Sequence, residues 1–287
     1  MAGLLSVESI DQDPADYVRR QAVVVATFDH RTRDSGNVSW LVDAGGRRLF
    51  VKTAGRDAPP APDGPVPYFA HPARVGLLRN AIDLARSVSH STMPRLLNVL
   101  ESPEGPALVY EAAEGELVGV PRAQRSDSGS AYQRFAHLPT ERLLRIFDQL
   151  IGLHAALAAR GWVAVDLYDG CLIVDFATGQ LKVVDLDSYR RGPSTNDMGR
   201  MFGSTRFMGP EEFEPGAPID QRTTVFTLGR LVWHFGTRLS ERGEDFSGPM
   251  TLADVAHWAC RPFRSERPPT VAAFADAWRT ERAGMNA

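Results

Sequence analysis

Apolar residues change their spacing about a third of the way along the chain. Ala22 to Phe28, AVVVATF, is an unbroken β-branched run. Val38 to Val42 and Leu49 to Lys52 are two further β-rich runs, joined through Asp43-Ala44-Gly45-Gly46. Two such runs around a Gly-Gly turn predict a hairpin. Residues 54–67, AGRDAPPAPDGPVP, are rich in Pro, Gly and Ala and predict a mobile loop. Across residues 74–88 the spacing becomes helical, with Val75, Leu78, Ile82 and Ala85 on one face. Leu96 to Leu100 and Ala107 to Tyr110 predict two more strands.

Beyond Tyr110 the pattern turns helical. EAAEGE is a short polar connection, and SDSGSAYQR, near residue 130, predicts a surface loop. The clearest helix follows: Thr140 is its predicted N-cap, Leu143, Phe147, Leu150, His154 and Leu157 recur at helical spacing, and Gly161 ends it. Short strands flank the turn from Asp166 to Gly170, and Leu181 to Val184 is another. After Pro210 the pattern is mainly helical. The sum is an α+β chain, strand-rich first and helical second, and a cleft between two such halves is a common place for a ligand.

Composition narrows the partners. With 287 residues and 43% hydrophobic content there is ample material for a core, and the formal net charge of −3 gives no reason to expect nucleic acid or an anionic membrane as partner. Cys171 and Cys260 are too few for a disulfide framework or a zinc site, so a reducing cytoplasm is the expected compartment. The first twenty residues carry acidic groups and no apolar run of signal-peptide length. The run from Leu228 to Phe235 is broken by Arg230 and His234, and no stretch reaches the roughly 20 apolar residues of a membrane span.

Three residues stand in an order suited to phosphoryl transfer, which needs a cation on the phosphates, carboxylates for a metal, a carboxylate near the attacking oxygen and a lid. Lys52 ends the strand RRLFVK, Asp166 lies in GWVAVDLYDGCLIVD, and Asp185 lies in LKVVDLDSY. Taken singly, a strand-end lysine is ordinarily solvated and a turn aspartate ordinarily caps its turn. Two Asp-bearing turns, each after a β-run and a hairpin apart, would put two carboxylates at one mouth of a small sheet. His154 is expected in the core, Cys260 and Trp258 are expected to be structural, and Arg190-Arg191 reads as a solvated pair.

The same order, closed by GSTRFMGPEEF, resembles the eukaryotic-type protein kinase family over roughly residues 20–280. RLFVK resembles the strand carrying the ATP-phosphate lysine, and LVYEAAEGE the hinge, with Tyr110 as gatekeeper and Glu111 to Ala113 facing adenine. HAALAARGWVAVDLYDGCLIV resembles the helix and catalytic loop, and VVDLDSY stands where the family has Asp-Phe-Gly. Gly209-Pro210-Glu211 stands for Ala-Pro-Glu, TVFTLGRLVW resembles the buried helix after it, and ERPPTVAAF the segment whose Arg267 would pair with Glu211. The resemblance implies a two-lobed fold: an extension over 1–20, a small antiparallel sheet with one helix over 21–110, a hinge at 111–116, and a larger mainly helical lobe over 117–283. It implies ATP with Mg²⁺ or Mn²⁺, with Lys52, Ser35, Gly36, Val38, Glu111 and Ala113 at the nucleotide, Asp166 as catalytic carboxylate, and Asp185 at the metal.

The departures are local. The lid has no G-x-G-x-x-G, only Gly36 before Asn37-Val38, with Arg31 and Arg33 near the earlier glycine positions and Ser35 beside them. No helix glutamate for Lys52 is evident in RNAIDLA, where Asn80 or Asp83 would have to reach inward. Ala164-Val165 replaces the usual His-Arg pair, and Cys171 holds the place of the metal-binding asparagine, although Mg²⁺ prefers oxygen. Asp187 follows Asp185 in Asp-Leu-Asp, so Asp187 or Asp169 would supply the missing oxygen. The favoured function is a Ser/Thr protein kinase, with Thr205 in the segment facing the acceptor. Its rivals are a kinase for a small molecule (an antibiotic, a sugar or a lipid headgroup) and a nucleotide-binding scaffold without catalysis.

Overall fold

The structure is a computed structural model that describes residues 3–30, 35–58 and 65–285. Arg31, Arg33 and the centre of the 54–67 loop lie outside these residues. The chain divides into two compact units, Met1–Ser89 with Pro94–Ala113, and His90–Met93 with Glu114–Ala287. As the sequence predicts, the fold is α+β, with an antiparallel sheet in the first unit and helices dominating the second.

The first unit contains α1 (Gly3–Ser6), α2 (Pro14–Gln21), β1 (Val23–Phe28), β2 (Val38–Asp43), β3 (Arg48–Thr53), α3 (His71–Ser87), β4 (Leu96–Leu100) and β5 (Ala107–Glu111). The five strands pair antiparallel in the order β1-β2-β3-β5-β4. Register decides what each face carries, because directly paired residues point the same way. Trp40 pairs with Val51 and Val51 with Val109, and their face buries a cluster completed by Leu4, Tyr17 and Val18. The other face carries Leu108 and is covered by Leu78, Ala81 and Ile82 of α3. The sequence pattern missed α1 and α2, because a four-residue and an eight-residue helix are too short to show periodicity. A local signal was present, however: Asp13 accepts from the Ala15 and Asp16 amides as N-cap, and Pro14 opens the helix.

The second unit contains β6 (Glu116–Leu117), α4 (Ala131–Ala136), α5 (Thr140–Ala159), β7 (Trp162–Val163), β8 (Leu172–Asp175), β9 (Gln180–Val183), β10 (Arg190–Arg191), β11 (Ser194–Thr195), β12 (Pro218–Ile219), α6 (Gln221–Gly236), α7 (Met250–Ala259) and α8 (Val271–Gly284). The stripe predicted for α5 is buried from Leu143 to Leu157, with His154 inside it as expected. Two local expectations are corrected. Thr140 is the first helical residue rather than the cap, which is Pro139, and its hydroxyl bonds Ser247 Oγ at 2.9 Å. Part of the predicted surface loop is helix α4, capped by Ser130, because Tyr132 and Phe135 are drawn into the core against Phe235. α6 is buried on most sides and meets α7 closely at Gly229, where an added Cβ would lie 2.5 Å from that of Ala259.

Candidate functional site

In the first unit Lys52 is 9% exposed and sits opposite Ser39 on one side and Leu108 on the other. It therefore lies on the α3 face of the sheet, buried as a merely solvated strand-end lysine would not be. Among the candidates to meet it from α3, Asp83 is exposed and Asn80 is half-buried. Gly36 has φ +79, a conformation that glycine adopts without strain, and Ser35 Oγ accepts from the Asn37 amide at 3.3 Å. Val38 begins β2, and its carbonyl accepts from Thr53 Oγ1 at 2.9 Å. Glu111 ends β5 with an exposed side chain shared between Arg95 at 3.2 Å and Arg47 at 3.7 Å, and Ala113 closes the unit.

The second unit brings Asp166, Cys171, Asp185 and Asp187 onto one hairpin and its approaches. β8 pairs with β9 from Leu172↔Val183 to Asp175↔Gln180, so the segments carrying Asp166 and Asp185 adjoin the same end of this ribbon. Both aspartates are left-handed, at φ +62 and +63. A non-glycine residue held there costs of order 1–2 kcal/mol and persists only where surrounding structure enforces it. Part of that enforcement is visible. The Cys171 thiol donates to the Asp166 carbonyl at 3.3 Å, and the Val184 amide donates to the Cys171 carbonyl at 2.8 Å. Burial, then the charges of Asp185 and Asp166, push the Cys171 thiol well above its ordinary value. A protonated thiol already donating to a carbonyl does not suit Mg²⁺, which prefers oxygen, and among the described residues no group of three or more His, Cys, Asp or Glu side chains is arranged to hold a metal ion. Asp187 is buried and Asp185 exposed. Asp169, the other expected oxygen donor, is instead enclosed, with both its oxygens on Arg206 Nη2 at 2.9 and 2.8 Å.

Several residues that shape this region escaped the sequence reasoning. Thr224 Oγ1 of α6 accepts the Ala164 amide at 2.9 Å and so anchors the loop two residues before Asp166. Arg206, in GSTRF, ties that segment to Asp169, while its carbonyl accepts from Arg230 Nε at 3.1 Å. Tyr132 bonds both Arg206 and His234. Gly203 lies beside Asp166, since a Cβ there would sit 3.7 Å from Asp166 Oδ1. A lone threonine in a helix gives no signal of such a contact, because the amide it serves is 60 residues away.

The expected pair is present. Arg267 Nη1 and Nη2 reach Glu211 Oε1 and Oε2 at 2.7 and 3.0 Å, with the two side chains 0% and 3% exposed. The remaining arginine donors go to the carbonyls of Arg261, Arg222 and Pro262. Arg264 adds a second cation on Glu211 at 2.9 Å. Burial works to raise the Glu211 carboxyl, but the Arg267 hydrogen bonds and charge hold it below its ordinary value. Glu212, next in sequence, has no arginine hydrogen-bonded to it among the described residues: burial, then the charges of Glu211 and Asp166, push it up to about 8 against the Gly209 amide, which its Oε2 accepts at 2.6 Å. His154, drawn down to about 4 by burial, bonds Leu150 O and Tyr189 OH and is neutral in the core.

Among the described residues no helix is long and apolar enough to cross a membrane. No protein-family profile matches the chain. It is similar to sperm motility kinase Z of Mus musculus, 26% identical over 157 residues, which are 54% of this chain and 29% of that protein. It is similar as well to serine/threonine-protein kinase 1 of African swine fever virus, 29% identical over 101 residues, 35% of this chain and 34% of the viral protein. The matches thus span about a third of the length of these relatives. At that identity and coverage, the similarities support a kinase-like family.

Proposed function

We propose that the chain is an ATP-dependent phosphotransferase that places a γ-phosphoryl group on a Ser or Thr hydroxyl of a protein. The observation that carries this is the pair Asp166 and Asp185, both kept in left-handed backbone at one end of the β8–β9 ribbon. Two strained carboxylate positions have no evident value to a surface hairpin. They have one where a carboxylate must be aimed. The buried Lys52 and the kinase-named relatives support the same function.

In this scheme Lys52 holds the α- and β-phosphates, Ser35, Gly36 and Val38 form the lid, and the backbone of Glu111 to Ala113 faces adenine. Asp185 and Asp187 would hold Mg²⁺ or Mn²⁺, which when bound supplies positive charge against the phosphate oxygens. Asp166 orients the acceptor hydroxyl and takes its proton as the oxygen–phosphorus bond forms and the bond to the β-phosphate oxygen breaks, leaving ADP. Residues 21–110 act as the nucleotide lobe, 111–116 as hinge and 117–283 as acceptor lobe, in a cytoplasmic protein. The segment from Gly203 to Phe213, fastened by Arg206 and by Glu211–Arg267, favours a protein acceptor.

One observation favours a scaffold instead: Cys171, a protonated thiol, stands where a metal ligand is expected. Asp166→Asn and Asp185→Asn separate the two. In the enzyme, Asp166→Asn slows single-turnover transfer by orders of magnitude with ATP affinity within a few fold, because positioning dominates this chemistry. Asp185→Asn weakens metal-dependent ATP binding as well. Equal nucleotide binding by all three proteins, with no transfer to any acceptor, would leave the scaffold.

A further inference from the structure

Helix α3, HPARVGLLRNAIDLARS, has no glutamate, yet it lies flat on the Lys52 face of the sheet. Its buried polar group is a cation. Arg74 is 6% exposed, and its guanidinium spreads over three backbone carbonyls: Nε to Ala54 at 2.8 Å, Nη1 to Phe69 at 2.8 Å and Nη2 to Arg56 at 3.1 Å. Among the described residues no carboxylate forms a salt bridge with it, although the charge of Asp57 acts on it and offsets part of the cost of its burial. These carbonyls belong to different stretches. Ala54 and Arg56 follow β3, two and four residues after Lys52, and Phe69 lies just before α3. The lid joins them. A Cβ at Gly36 would lie 3.1 Å from Arg74 Cζ and 2.8 Å from Pro67 Cβ, and one at Gly55 would lie 2.4 Å from the Gly36 carbonyl oxygen.

Other contacts tighten the same knot. His71 Nε2 meets Gly55 O at 3.2 Å, and the Asp57 amide donates to Glu104 Oε2 at 3.0 Å. Arg56 Nε donates to Asp13 Oδ2 at 2.7 Å. A planar guanidinium holds its five donors in fixed, spread directions and so reaches three separated carbonyls in one geometry; an ammonium offers three donors from a single point on a flexible stem and fixes that geometry less well. A buried charge held by neutral carbonyls is costly to desolvate, so it persists where the geometry of the attachment matters.

We propose that Arg74 is the positioning residue of the nucleotide site: its fork fastens α3, the exit of β3 and the Gly36 lid to one another, giving α3 the docking that a helix glutamate paired with Lys52 would otherwise give. The link to nucleotide rests on the function proposed above; the link to α3 does not. The Arg74 fastening uses backbone carbonyls, so this attachment of α3 does not depend on an ion pair and persists whether or not nucleotide is bound.

Hydrogen exchange and ATP titration with Mg²⁺, on the full chain, test both links. Arg74→Ala raises exchange of the α3 amides at least tenfold, leaves α5 and α6 amides unchanged, and weakens ATP binding at least tenfold, while turnover at saturating ATP changes less than threefold. Arg74→Lys recovers only a minor part of the protection. If Arg74→Ala exposes both units, Arg74→Lys decides alone. Exchange at α3 within twofold of wild type overturns the fastening. Faster exchange with unchanged ATP affinity overturns the positioning role. Wild type that binds no nucleotide overturns the proposed function, while the exchange data still decide whether Arg74 fastens α3.

Discussion

In the N-terminal unit the buried guanidinium of Arg74 is held by three backbone carbonyls; in the C-terminal unit that of Arg267 is held by Glu211, with carbonyls filling its remaining donors. Both arrangements satisfy a buried cation, but they fail differently. Removing a side chain cannot remove the carbonyl partners of Arg74, whereas either side of the Glu211–Arg267 pair can be deleted to leave a bare charge in the core. The second unit is accordingly the more exposed to single substitutions, and the first to changes of backbone geometry.

The largest expected effect breaks the carboxylate side of the comparison. Arg267→Ala leaves Glu211 with only the less buried Arg264, and should lower unfolding free energy by about 3–5 kcal/mol in a denaturant titration. A wild-type midpoint would show that Arg264 suffices. Thr224→Val comes next. It keeps the shape of the side chain but strands the Ala164 amide, a loss of about 1–3 kcal/mol. Because that amide belongs to the loop of Asp166, transfer should fall more than ATP affinity does; equal losses in both would put the anchor elsewhere.

A smaller effect concerns pH. Glu212, at about 8 against an ordinary 4.5, binds a native proton that the unfolded chain sheds, so it makes stability fall as pH rises between those values. His154, at about 4 against 6.5, does the reverse, and stability is lost as pH falls from 6.5 to 4. The two slopes offset each other up to pH 6.5; above that, up to pH 8, the Glu212 slope stands alone, approaching about 1.4 kcal/mol per pH unit. Glu212→Gln should flatten the decline between denaturant midpoints taken at pH 6.5 and 8. The smallest effect is on the surface of the first unit, where Arg79 and Glu101 pair at 3.0 Å with both side chains about half exposed. Arg79→Ala should cost about 0–1 kcal/mol and less in high salt.

The same contrast sorts what was legible in the sequence. Glu211–Arg267 could be expected because both partners are side chains of a recognisable type in recognisable segments. Arg74 could not, since its partners are main-chain oxygens that every residue possesses. The strands were legible because AVVVATF, Val38 to Val42 and RRLFVK are β-branched runs between clear breaks. α5 was legible because its stripe, from Leu143 to Leu157, repeats over about four turns. α4 was not, because Tyr132 and Phe135 sit in a short stretch of turn-forming composition, where the Ser130 cap is a weak signal until their contacts with Phe235 are known. Lys52, Asp166 and Asp185 could be picked out by order alone, but no sequence pattern reports φ +62 and +63. The enclosure of Asp169 by Arg206 was equally hidden, since it joins residues 37 positions apart.

The bond from the Ala164 amide to Thr224 Oγ1 carries no formal charge at either end. Ionic strength has little to screen there, and no proton loss or gain in the physiological range releases it. The loop bearing Asp166 is therefore moored by a fastening indifferent to the ionic medium. Sensitivity to salt is expected instead at exposed charged contacts such as Arg79–Glu101, and in the approach of a charged ligand.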